Sequence, residues 1–197
     1  METLIRIDQS LTLFLNHVAG RLGFIDEVIK GLANDYFIMV GGALGLFFLW
    51  FGSRQREGRR TGQEIVLQAA AAIGLTTLTV YLVNIFFYRT RPFDEIAVNA
   101  LLYQPTDSSF PANSASVLFG LAFTIWLGNR KYGRIFLTGA AAHSVARVIA
   151  GMHYPGDIAG GMMVGLAIAF FTRLVFKMLK PFIKHILSLG KIFYLAD

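Results

Sequence analysis

Four stretches of this sequence run without an Asp, Glu, Lys or Arg: Tyr36–Gly52, Ile65–Tyr88, Ser108–Asn129 and Ile158–Thr172. A helix that crosses the hydrocarbon of a bilayer needs roughly 20 mostly apolar residues, so runs of this length constrain the chain more than anything else in it. A fifth stretch, Ile135–Met152, meets the same description except for Arg147. Composition agrees: 55% of the 197 residues are apolar and 15% are charged, where an ordinary soluble domain carries about 25% charged residues. The expected fold is therefore all-α, a single membrane domain over residues 1–197, built as an integral membrane bundle of five to six transmembrane helices. Cysteine is absent, which excludes a disulfide scaffold, a thiolate nucleophile and a thiolate metal site, and four histidines do not suggest a dedicated multi-histidine centre. No metal or other cofactor is expected.

The two ends read differently from the middle. Leu4, Ile5, Ile7, Leu11, Leu13, Phe14, Leu15 and Val18 are mixed with Arg6, Asp8 and Asn16, which suits an interfacial amphipathic helix or a short, weakly apolar span. The apolar run Leu11–Leu15 is too short for a signal peptide. Near the other end, Phe182, Ile183, Ile186 and Leu187 alternate with Lys184, His185, Ser188 and Lys191 at helical spacing, which predicts a helix lying on the membrane surface. Twelve of the 18 basic residues fall in three segments: Arg54, Arg56, Arg59 and Arg60; Arg130, Lys131 and Arg134; and Arg173, Lys177, Lys180, Lys184 and Lys191. Five antiparallel spans place all three on one side, which the positive-inside rule makes cytoplasmic. The net charge of +6 is then a matter of orientation in a phospholipid bilayer and does not imply nucleic acid.

Three polar segments are left for the opposite, extracytoplasmic face: Tyr88–Phe93 (YRTRPF), Ser108–Ser116 (SSFPANSAS) and Ala146–Asp157 (ARVIAGMHYPGD). Arg91 and Arg147 offer two planar guanidinium forks, suited to the oxygens of a phosphate. His153 and Asp157, four residues apart, have the spacing of a His–Asp pair in which a carboxylate sets the imidazole tautomer and frees the other nitrogen to attack. A helix beginning after Pro111 would turn backbone N–H groups toward an anion. Taken singly, most of these residues have plainer explanations. Arg89 and Arg91 fit a collar at the lipid headgroups, His153 an interfacial loop histidine, Asp157 a helix cap, and Asp107, Ser109, Asn113, Ser114 and Ser116 helix-start residues. Arg147 does not, because an ionised group inside an apolar span is costly to bury. Their conjunction describes phosphoryl binding beside a histidine nucleophile.

With these residues in view, the sequence resembles the type 2 phosphatidic acid phosphatases, a superfamily shared with vanadium haloperoxidases. That family's pattern is Lys-x6-Arg-Pro, Pro-Ser-Gly-His and Ser-Arg-x5-His-x3-Asp. The corresponding blocks here are Asn84-x6-Arg91-Pro92, Pro111-Ala112-Asn113-Ser114 and Ala146-Arg147-x5-His153-x3-Asp157, in the same order and over about residues 35–175. The resemblance implies a metal-independent lipid phosphatase, in which His153 forms a phosphohistidine, Asp157 orients it, and Arg91 and Arg147 clamp the phosphate with Asn113 and Ser114 beside them. It also marks departures: Asn84, Ala112, Asn113, Ser114 and Ala146 stand where the pattern has lysine, serine, glycine, histidine and serine. The missing second-block histidine is the family's general acid, and a serine hydroxyl does not supply its proton at neutral pH. A phosphate leaving group, with a second pKa of about 6, tolerates that loss better than an alcohol, whose proton affinity is near that of water at about 15.7. The expected substrate is therefore a lipid phosphate or diphosphate, above all a prenyl diphosphate such as undecaprenyl diphosphate. His143, one helical turn from Arg147, is a candidate replacement donor, although its plainer reading is a buried histidine hydrogen-bonded within the bundle. The alternative is a family member, natural or engineered, that binds or transports a lipid phosphate without hydrolysing it.

Overall fold

A computed structural model describes residues 2–179. Its helices are α1 (Glu2–Asn16), α2 (Gly23–Ala33), α3 (Asp35–Phe51), α4 (Arg56–Phe86), α5 (Pro92–Glu95), α6 (Asn113–Gly128), α7 (Arg130–Ile149) and α8 (Pro155–Met178), with no strand among the described residues. The fold is all-α, as expected. The amphipathic helix expected around Phe182–Lys191 lies outside the described residues. By length and composition α4 and α8 are each able to cross a membrane, and α3 does so when taken with α2, to which it is bent by 51°. The other two expected spans are less apolar or shorter: α6 has 16 residues, and α7 carries Arg130, Lys131 and Arg134 in its first turns and Arg147 near its end. α6 lies where lipid matters less, being the central helix against which α4, α7 and α8 pack, while α7 keeps an exposed face that includes Ile135 and Val145.

Close approach of α6 and α8 is what the glycines of α8 allow. A Cβ added at Gly165 would stand 2.5 Å from the backbone nitrogen of Gly120, and one at Gly161 would stand 2.9 Å from the carbonyl oxygen of Ala112. Gly161 and Gly165 are one helical turn apart, the spacing by which membrane helices bring their backbones into van der Waals contact. Around this contact the core is assembled from small residues, Ala112, Ala115, Ala122 and Ala140, with Leu118 and Phe119. Large apolar side chains such as Met39, Leu44, Phe47, Phe86, Phe170 and Leu174 point outward instead, an inversion of the soluble pattern that follows when the solvent is itself apolar. The basic loops adjoin the C-terminal ends of α6 and α8, while the chain segments 87–112 and 150–154 cross the other end. α1 is drawn onto that second end. Its buried Asn16 donates from Nδ2 to the carbonyls of Asn99 and Ile149, 3.0 and 2.8 Å away, and accepts from Asn99 N at 2.8 Å.

Candidate active site

The N-terminus of α8, the C-terminus of α7 and the segment that follows α4 converge on His153. The imidazole is 2% exposed and sits in the short turn between α7 and α8. Its Nδ1 lies 3.1 Å from the backbone carbonyl of Ser109, an acceptor only, so Nδ1 carries the hydrogen and Nε2 presents a bare lone pair. Two guanidinium groups face that lone pair: Arg91 Nη1 at 3.2 Å and Arg147 Nη2 at 3.4 Å. Burial, and then the charges of Arg91 and Arg147, hold His153 well below the usual imidazole value. It is therefore neutral at physiological pH, the form that can attack phosphorus.

Buried guanidinium groups need partners, and each arginine here has its own carboxylate. Arg91 donates to Asp107 Oδ1 at 2.7 Å, to the Asp107 carbonyl at 3.1 Å and to the Met152 carbonyl at 3.0 Å. Arg147 reaches Asp35 Oδ2 at 3.1 Å from Nη1. Arg89, stacked 4.2 Å over the ring of Tyr154, bridges Asp157 Oδ1 at 2.7 Å and Asp8 Oδ2 at 2.6 Å. These pairs fix the guanidinium planes while leaving one nitrogen of Arg91 and one of Arg147 turned toward His153.

Asp157 does not pair directly with His153 as its four-residue spacing suggested: Oδ2 is 4.0 Å from Nδ1. Asp157 stands in the first turn of α8, accepting from the backbone of Tyr154 at 2.9 Å, from Ser109 Oγ at 2.5 Å and from Arg89. It thus holds Ser109, whose carbonyl in turn holds the imidazole. Of the remaining predicted residues, Ser114 is buried beside Asp35, and Asn113 is exposed at the start of α6, where no side chain caps the helix. Asn84 lies in the last turn of α4 with Oδ1 buried and without a hydrogen-bond partner among the described residues. His143 is buried one turn from Arg147, its Nδ1 2.9 Å from the Leu32 carbonyl and its Nε2 3.4 Å from Asp35 Oδ1.

Five residues of the site were not singled out for these roles by their sequence positions: Asp8, Asp35, Arg89, Asp107 and Ser109. The one available signal was Asp35, an acidic residue at the very edge of an apolar span. A cavity of about 430 Å³ opens beside it, lined by Asp35, Tyr36, Met39, Leu102, Tyr103 and Arg147 among others. Two further clefts, of about 270 and 490 Å³, lie at the opposite end of the bundle and contain no histidine.

A histidine lone pair presented to two arginines is an arrangement suited to an anion such as phosphate. The PAP2 superfamily model matches residues 65–181, and the chain belongs to that family. It is similar to the "Bacitracin transport permease protein BcrC" of Bacillus licheniformis, 29% identical over 81% of this chain and 75% of that protein. It is also similar to the "Undecaprenyl-diphosphatase BcrC" of Bacillus subtilis (strain 168), 28% identical over 75% of this chain and 74% of that protein. The fold matches the transmembrane PAP2-type phosphatidylglycerolphosphate phosphatase of Bacillus subtilis, with a TM-score of 0.65, 18% identity, and coverage of 91% of this chain and 89% of that one. The protein is an integral membrane member of the PAP2 superfamily.

Proposed function

We propose that this protein is a lipid phosphatase that hydrolyses a prenyl diphosphate such as undecaprenyl diphosphate, through a phosphohistidine on His153, at the extracytoplasmic face. The observation that carries this reading is the unprotonated Nε2 of His153 set between Arg91 and Arg147. The terminal phosphoryl group would replace the lone pair as acceptor for the two guanidinium forks. Nε2 forms a bond to phosphorus as the bond to the leaving oxygen breaks, and water then cleaves the phosphohistidine to inorganic phosphate. Arg91 and Arg147 stabilise the charge that accumulates on the transferring oxygens. Asp157 acts through Ser109, keeping the Nδ1 hydrogen in place so that Nε2 is always the attacking atom. Two relatives carry names that fit the substrate or its handling: one is called an undecaprenyl-diphosphatase, the other a bacitracin transport permease. Nine basic residues lie at the far end of the bundle among the described residues, from Arg54 to Arg60, Arg130 to Arg134, and at Arg173 and Lys177, which supports the orientation.

Ser114 favours a second reading, in which the protein binds or moves a lipid phosphate without turnover. Phosphate release from the purified full chain in detergent separates the two, with undecaprenyl diphosphate and phosphatidic acid supplied in parallel. Hydrolysis that disappears in His153→Ala, with acid-labile label retained on the native protein from a β-labelled diphosphate, is the expected result. Binding without release, and gain of turnover in Ser114→His, would establish the binder instead.

A further inference from the structure

One polar contact that the hydrolysis so far leaves unused is that between the buried His143 and Asp35. His143 Nδ1 faces only the Leu32 carbonyl at 2.9 Å, so its hydrogen is committed there. Nε2 then faces Asp35 Oδ1 at 3.4 Å, and both atoms are buried with no hydrogen-bond partner among the described residues. The Asp35 side chain is 39% exposed on its cavity side, but Oδ1 itself is covered, so a neutral imidazole and an ionised carboxylate would oppose two lone pairs at atoms that solvent does not reach. Placing one proton between them removes the conflict, whether it is held as imidazolium and carboxylate or as imidazole and carboxylic acid. The pair is a one-proton store, and its position suits a use. Asp35 Oδ2 is 3.1 Å from Arg147 Nη1, the same guanidinium whose Nη2 is 3.4 Å from His153 Nε2. Asp35 and Arg147 share the wall of the 430 Å³ cavity, whereas His143 lies wholly behind it. Ser114, the residue standing where a general acid was expected, abuts the same carboxyl group.

Resting on the hydrolytic reading above, we propose that Asp35 and His143 form the general acid of this enzyme, Asp35 handing the shared proton to the leaving oxygen with His143 as its reserve. As His153 Nε2 bonds to phosphorus, the electron pair of the breaking P–O bond goes to the leaving oxygen, which takes the proton and departs neutral at that oxygen. The pair is left one proton short. When water attacks the phosphohistidine, the proton lost by that water returns to the pair, and Nε2 recovers its lone pair. Clamping of a phosphate by Arg147 brings negative charge beside Asp35, which drives the shared proton onto the carboxyl group, where it is needed.

The test is the dependence of rate on leaving group, measured with the full chain in detergent on a graded series of aryl and alkyl phosphate monoesters and on undecaprenyl diphosphate. Asp35→Asn and His143→Gln are expected to lower kcat/KM by about 10²-fold or more for alkyl leaving groups, and by less than about tenfold for nitrophenyl phosphate and the diphosphate. The rate should therefore fall more steeply with leaving-group basicity than in the unsubstituted chain. Ser114→His, added to His143→Gln, is expected to restore much of the alkyl ester turnover. Equal losses on every substrate, or unchanged rates, would overturn the assignment of the pair while leaving the phosphohistidine reading intact. Hydrolysis by the unsubstituted chain that survives His153→Ala would overturn that reading, and this assignment with it.

Discussion

At the scale of single residues, the site is governed by how three arginines and one histidine are buried. Replacing Arg91 or Arg147 with Lys keeps the charge and loses the fork, so kcat/KM for the lipid diphosphate is expected to fall about 10²-fold in steady-state assays. His153 gives a signed pH dependence. An unfolded histidine titrates near 6.5, while the folded site, buried and faced by Arg91 and Arg147, refuses the proton until well below that value. Above about pH 6.5 the residue is neutral in both states and contributes no slope. As the pH falls through that value, the unfolded chain gains a proton that the folded chain does not, and stability declines until the depressed folded value is reached. The thermal midpoint in detergent is expected to fall more steeply with acidification below about pH 6.5 in the unsubstituted protein than in His153→Gln. Arg147 was legible in the sequence because charge in an apolar span is conspicuous locally, and His153 because it stands four residues before Asp157 in a block that resembles the family pattern. Asp35, Asp107 and Asp8 were not: each takes its meaning from an arginine 16 to 112 positions away, and no local pattern encodes that distance.

Among the helices, the α6–α8 contact and the attachment of α1 carry the positioning of the site. Gly165→Val would drive a branched side chain into the backbone of Gly120, and overpacking of this kind costs about 1–3 kcal/mol or more. With about 2–4 °C per kcal/mol for a protein of this size, unfolding in detergent is expected several degrees lower, and activity with it, because Ala112 N is bonded to the Asp157 carbonyl across the same contact at 3.2 Å. Asn16→Leu strands the Asn99 and Ile149 partners of a buried amide, each at about 1–3 kcal/mol, and should loosen α1, measured as faster amide exchange in the segment 87–112. Helix positions were readable from charge-free runs, whereas their ends were not. The run from Ser108 merges an irregular segment, 108–112, with α6, because Ser, Phe, Pro and Ala there are as uncharged as the helix that follows. α4 begins at Arg56, nine residues before its apolar run, since its first turns are charged yet helical.

For the whole molecule, the two ends of the bundle differ: basic loops lie at one, and His153 with Arg91 and Arg147 at the other. With an impermeant thiol reagent on intact cells, Tyr103→Cys, 86% exposed beside the cavity, is expected to react, and Lys131→Cys only after lysis. The reverse pattern would place the site at the cytoplasmic face. Asp8 joins the first helix to the last, accepting at 2.8 Å from Gly156 N, 148 positions later, as well as from Arg89. At about 5–20 residues per second, a growing chain needs roughly 7–30 s to supply that second partner. Until then Asp8 has no backbone anchor and Arg89 lacks Asp157. A nascent chain halted after α7 thus holds the backbone of α1 through Asn16, with an incomplete charge ladder at that end of the bundle, and synthesis through the start of α8 supplies a second backbone anchor, at Asp8.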